Sequence, residues 1–345
     1  MKIKTLLLLL LAAQLPCFAV IRTVNNNGFG AQYFDLESAY QASSNGDTLM
    51  VMGSSVNYFL SSASWNKNIV VIGSGYNSDK QLFQDVKLHH TTSGANYFYI
   101  GQSSKFLGIR FVNYVNLSAD VNGLDFEACK FDFDFWTNSK IISNLKFINC
   151  VFSSGSSNYK SDFNAANFVY FSHCVFSGIL TGSNNNFNSD ISFDHCIFLR
   201  NGSSFANMYN AEINNSIFLG NTAITSIYNS SFNNNIARVN VANAWASNGN
   251  ISSNNLDLTD PLFVNVPFNV AYNTTMDFNL QPGSPAIGFA IDGGNIGVHD
   301  ANSTFNEEGE AQNIPVIRKM NMVNPNVPQN GNVNVKVRST KAREN

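Results

Sequence analysis

The sequence predicts an all-β chain wound as a parallel β-helix, and three observations carry that reading. A phrase recurs as Phe126-Glu-Ala-Cys129-Lys-Phe131, Phe147-Ile-Asn-Cys150-Val-Phe152, Phe171-Ser-His-Cys174-Val-Phe176 and Phe193-Asp-His-Cys196-Ile-Phe198, with a degenerate copy at Ile213-Asn-Asn-Ser216-Ile-Phe218. Its cysteines are 21, 24 and 22 residues apart, the period of a solenoid in which each turn buries its apolar face against its neighbours. Within each copy the apolar residues alternate, skip once and alternate again. Leu145 and Phe147 share a face by the two-residue period of a strand, and a bend at Ile148-Asn149 is needed to return Cys150 to the interior. The bend position holds Ala128, Asn149, His173, His195, Asn215 and Asn229 in turn, and Asn tolerates the left-handed backbone such a bend requires.

Taken in order, the chain opens with a processing signal over residues 1–19. Met1-Lys-Ile-Lys4 is basic, Thr5 to Ala13 is apolar, and Cys17-Phe-Ala19 precedes a cut at Val20. The expectation is export, to the extracellular space or the cell envelope, with no transmembrane segment, because no later run reaches the roughly 20 apolar residues a membrane helix needs. Asp35 to Ala42 reads as a short capping helix with Asp35 as N-cap. Asn45-Gly-Asp-Thr48 turns into strands at 49–52 and 69–72. Weaker copies of the phrase stand at Phe106-Leu-Gly-Ile109-Arg-Phe111 and Phe83-Gln-Asp-Val86-Lys-Leu88, and downstream at 227–232 and 251–256. The count comes to about ten coils over residues 20–300. From 301 to 345 an acidic linker (Glu307, Glu308, Glu310) leads to a basic β-hairpin tail, with strands at 316–323 and 333–337.

Composition narrows the function classes. Charged residues are 12% of the chain and the net charge is −3, which gives no reason to expect nucleic acid as a partner. The 29 Phe residues require a large core. Four cysteines follow the signal, all in one phase of the repeat, so they should stack as an inward ladder of free thiols. Parallel neighbours about 4.8 Å apart hold their Cβ atoms beyond the preferred disulfide range.

The helix, the Asn45-Gly-Asp-Thr48 turn and the coils, together with Asp260-Pro-Leu-Phe263, Asp277-Phe-Asn-Leu-Gln-Pro-Gly-Ser-Pro-Ala-Ile287 and Asp292-Gly-Gly-Asn-Ile-Gly297, resemble the secreted right-handed parallel β-helix proteins of the pectin-lyase-like superfamily. The resemblance implies a right-handed solenoid and places the C-terminal phrases in closing coils. It leaves function open among lyases, hydrolases and adhesins. The superfamily's lyases use Ca²⁺ held by carboxylates with an Arg or Lys base on an exposed face.

That face is expected around 97–100, 140–142, 159–163, 186–188 and 205–209, and it offers Lys140, Lys160 and Asp162. In Phe131-Asp-Phe-Asp-Phe-Trp136, alternation would turn Asp132 and Asp134 outward together as candidate Ca²⁺ ligands, with Trp136 stacking on a sugar ring. His173 and His195 can be read as a metal or catalytic pair or as members of a structural ladder. The ladder is the stronger reading, since no carboxylate recurs in the same phase. No catalytic set is assembled. The functional expectation is a monomeric, glycan-contacting protein that does not cleave its ligand (Trp136, Lys160, Asp162), with a polysaccharide lyase or hydrolase, or an adhesive rod, as alternatives.

Overall fold

The computed structural model describes residues 19–311 and the strands at 315–322 and 335–341, apart from 29, 62–63, 81–83, 91–96, 155–159, 165, 183–189, 221–223 and 301–304. The expected export signal therefore falls almost wholly outside the described residues. Three parallel walls form a right-handed solenoid of about eight turns. The first wall has eleven strands, from Ile21–Val24 to Ile251–Ser253; the second has nine, from Tyr58–Leu60 to Ile236–Ala237; the third has seven, from Tyr97–Ile100 to Ile227–Tyr228. The coil count is lower than ten because the first wall gains three strands, Ile21–Val24, Thr48–Val51 and Val70–Ile72, before the third wall begins.

Each phrase turns the corner between the first and second walls. Phe147 ends inside the strand Ile142–Ile148, Asn149 alone takes φ 54°, and Val151–Phe152 starts the next wall. Ala128, His173, His195 and Asn215 repeat this at φ 49–54°. One left-handed residue per coil is thus the corner. Its N–H is not wasted: Asn149 N donates to Ser172 O and His173 N to Asp194 O, both at 3.0 Å, on the following coil. Further along, pairing of Ile213 with Phe232 moves the corner to Asn234 (φ 53°), so the coil starts at Phe232 and not at Ile227. Asn229 turns a different corner. Asn215 and Asn234 are thus corners of successive coils.

The interior is two columns of stacked rings. Phe106, Phe126, Phe147, Phe171 and Phe193 stack at 5.4, 5.1, 4.9 and 4.8 Å. Phe111, Phe131, Phe152, Phe176, Phe198 and Phe218 form the second column at 4.5–5.2 Å. The coil rise sets this spacing, and rings of the two columns meet edge to face, the geometry aromatic quadrupoles favour. The four cysteines are free and fully buried. Each thiol points at backbone carbonyls, as Cys150 Sγ does at Phe126 O (3.4 Å), and burial pushes the Cys129, Cys150 and Cys174 thiols well above their usual range. Since all four thiols are closed off from solvent, all four should react with a thiol reagent only after denaturation, with no mass change on reduction. Disulfide-linked peptides would overturn this.

Both the N-terminal end and one outer face are covered. The helix Leu36–Ala42 is capped by Asp35, whose Oδ1 accepts from Ser38 N at 2.6 Å, and it buries Leu36, Ala39 and Tyr40 against the first coils. The C-terminal phrases lie outside the coils. Residues 263–300 run back over the outer surface of the second wall, where Phe263, Phe278, Ile296 and Val298, with Phe305, form a second core with Val151, Val175, Ile197, Ile217 and Ile236. Those five aliphatic residues follow Cys150, Cys174, Cys196, Ser216 and Asn235 and precede the inward Phe, or Ala237 in the last case, of successive coils. Alternation turns them outward, and without the cover they would be an exposed apolar stripe.

The acidic stretch is docked rather than spanning solvent. Glu307 pairs with Lys80 and its backbone oxygen accepts from Asn77 Nδ2 at 2.8 Å. Burial opposes its ionisation, but the His299 and Lys80 neighbours outweigh that and hold its pKa down to about 2. Beyond it, Pro315–Met322 and Val335–Lys341 pair antiparallel as the expected hairpin, and its connection lies outside the described residues. Among the described residues no helix is long and apolar enough to cross a membrane.

Candidate functional site: an aromatic face on the third wall

Alternation on the third wall decides what faces out. Phe98, Val115 and Phe135 are partners on successive strands and fully buried. Their neighbours Tyr97, Tyr99, Tyr114 and Trp136 therefore project outward. These rings touch: Tyr97 lies 5.8 Å from Tyr99, 5.5 Å from Tyr114 and 5.6 Å from Trp136, and Tyr114 lies 5.2 Å from Trp136 and 4.9 Å from Phe133. Five contiguous aromatic side chains so cover three coils of one wall. Tyr114 is on the middle coil and touches Tyr97, Phe133 and Trp136, and Phe133 at the rim is 41% exposed. Asn116 sits between Tyr99 and Trp136 in the strand register, and its buried Oδ1 has no hydrogen-bond partner.

Asp162 follows Trp136 directly on the next coil. It accepts from Asn164 N at 2.8 Å and from the Thr181 hydroxyl at 3.4 Å, and burial raises its pKa. Trp136 and Asp162, both expected as glycan contacts, thus lie side by side on one wall. Lys160 lies in the same strand, Lys160–Phe163, but its side chain is outside what is described. Of the expected wall segments, 97–100, 160–163 and 205–209 do belong to the third wall, whereas Ile142 opens a first-wall strand. Residues 186–188 lie outside the described residues.

Asp132 and Asp134 do not share an outward face. The strand ends at Phe131 and resumes at Phe135, and the corner between them breaks the alternation. Phe133 faces out, while Asp134 is buried and its pKa is pushed up to about 6 by burial. Asp132 is captured by two cations, Arg110 Nε at 2.8 Å and Lys130 Nζ at 3.0 Å, with Asp85 on the other side of Arg110 at 2.9 Å. A Ca²⁺ ion needs several oxygens converging on one point. One fully buried carboxyl, whose ionisation burial opposes, and one carboxylate already neutralised by Arg and Lys do not offer that. Alternation held only as far as the strand did.

The tyrosines of the face were legible as Tyr97-Phe-Tyr-Ile100 and Tyr114-Val-Asn-Leu117, in which aromatic or polar residues alternate with buried ones. A second surface had no such signal. A shallow groove of ≈ 610 Å³ on the first wall is lined by Phe168, Tyr170, Asp190 and Glu212 from successive coils. Among the described residues one set of three metal-ligating side chains converges, His173, His195 and Asp300. Asp300 is the carboxylate that the repeat phase could not supply. Compared with protein-family models and with curated proteins, the chain matches none.

Proposed function

We propose that this chain is an exported β-helix protein that binds a glycan on the aromatic face of its third wall without cleaving it. The contiguous Tyr97, Tyr99, Tyr114, Phe133 and Trp136 rings support this reading. Apolar faces of sugar rings stack on such surfaces, while polar groups such as Asn116 and Asp162 orient the hydroxyls. Titration calorimetry against a panel of neutral and acidic polysaccharides tests it. Trp136→Ala should weaken binding by about 1–3 kcal/mol, the scale of losing an aromatic anchor. Trp136 also packs on Tyr97 and Tyr114, so the melting temperature should fall modestly as well. Phe133→Ala, at the exposed rim, separates the two effects by touching binding with little cost in stability. Unchanged binding in both variants would sink the assignment of this face and move attention to the first-wall groove.

One observation favours the hydrolase alternative. Asp162 lies beside the aromatic anchor with a pKa raised by burial, and glycosidases need one carboxyl kept protonated to deliver a proton to the leaving oxygen. Sugar release, or an unsaturated product with or without Ca²⁺, that disappears in Asp162→Asn would replace binding by catalysis. Silence across the panel together with capture of a protein partner would favour the adhesive rod.

A further inference from the structure

His173 and His195 occupy the same corner position on adjacent coils, and their rings stand face to face at 5.0 Å, 6° from parallel. Strand pairing alone gives that arrangement, since Ser172 pairs with Asp194 immediately before them. The covering segment then returns Asp300 to the same place. Asp300 Oδ2 lies 3.3 Å from His173 Nε2 and 3.5 Å from His195 Nε2. The three side chains are only 4–8% exposed.

We infer that His173, His195 and Asp300 form a binding site for a divalent transition-metal ion of the zinc type, which staples the C-terminal cover to the solenoid. Zinc takes imidazole nitrogen and carboxylate oxygen at about 2.0–2.2 Å, so tetrahedral ligand atoms lie about 3.4 Å apart, the separation found on both His–Asp edges. The outer nitrogens are backed as metal-bound histidines usually are. Ser172 Oγ lies 2.7 Å from His173 Nδ1 and Asp194 Oδ1 lies 3.0 Å from His195 Nδ1, so both Nε2 atoms are left facing the carboxylate.

A second observation is independent of the cluster geometry. Nε2 of the buried His195 makes no hydrogen bond, although a buried polar atom without a partner is costly. In the same column, one coil before His173 and two before His195, Asn149 is fully buried with both amide atoms unpartnered, and a water can fill the fourth position. The three ligand atoms lie within 4.8 Å of one another. Binding needs the two imidazoles to tilt together by about 1 Å for both nitrogens to reach one ion.

A proton is the competing occupant. Burial opposes protonation of His195, but Asp194, Asp300 and Asp292 outweigh it and raise its pKa. The experiment uses the purified full chain without a polyhistidine tag, stripped with chelator and titrated with Zn²⁺ alone by calorimetry at neutral pH. One equivalent should bind, and the melting temperature should rise with zinc and fall with chelator. Asp300→Asn and His195→Gln, checked for an unchanged far-UV spectrum, should each lose at least tenfold in affinity, while His299→Gln should bind like the parent. Co²⁺ in place of zinc should give visible d–d bands in the parent that the Asp300→Asn variant lacks. No stoichiometric binding to the parent, or equal affinity in Asp300→Asn and His195→Gln, would overturn the site. So would a zinc-independent stability that is lost as pH rises through the His195 pKa, the sign for a group protonated more readily in the folded state; it would assign the gap to a proton.

Discussion

Phe147→Ala is expected to destabilise the solenoid by about 3–5 kcal/mol, the range for removing a buried aromatic ring and leaving a cavity. Phe147 is fully buried, stacked between Phe126 and Phe171 and edge-on to Phe131, Phe152 and Phe163. Neighbouring coils cannot close over the gap, because backbone pairing on both sides fixes the rise between them. The position matters too. In a solenoid each turn is held mainly by its two neighbours, so a weak coil in the middle should uncouple the ends and broaden the urea transition as well as shift it. Phe147→Leu, which keeps most of the volume, should cost less and leave the transition sharp. A loss below about 1 kcal/mol for the alanine variant would mean that the ring column is not the stabilising element described here.

The second large effect concerns the cover. Ile197 points out of the second wall and is yet fully buried, in the second core with Phe263, Phe278, Ile296 and Val298. A Cβ added at Gly297, on the cover, would come within 2.9 Å of Ile217 Cδ1 and 3.8 Å of Ile197 Cδ1, so the two layers meet without space for a solvated group. Ile197→Asp would place an unpaired charge there and should cost about 3–5 kcal/mol, or free the cover altogether. Limited proteolysis reads the difference: residues 263–300 should become cleavable while the coils stay protected. Ile197→Val should cost about 0.5–1.5 kcal/mol and leave protection intact. Parent-like resistance and stability in Ile197→Asp would show that this face does not need its cover.

The sequence by itself determined the coil. A fixed period with one bend residue per repeat leaves a single way to stack, because slipping by one residue would turn every Phe to solvent. The corner at Asn149, the free inward cysteines and the helix cap at Asp35 were readable for the same reason: each depends on residues nearby in sequence or one repeat away. Trp136 beside Asp162 was readable too, as both lie on regular strands one coil apart. The Asp132 and Asp134 orientations were not, because they sit in a corner, where phase depends on how many residues the turn consumes and which cations lie within reach. Nor could sequence show that Val151, Val175, Ile197, Ile217 and Ile236 are covered, or that Asp300 meets His173 and His195. Those contacts join segments separated by as many as 127 residues. Only tertiary structure sets them, through the demand that an outward apolar stripe be buried and the path the chain takes to bury it.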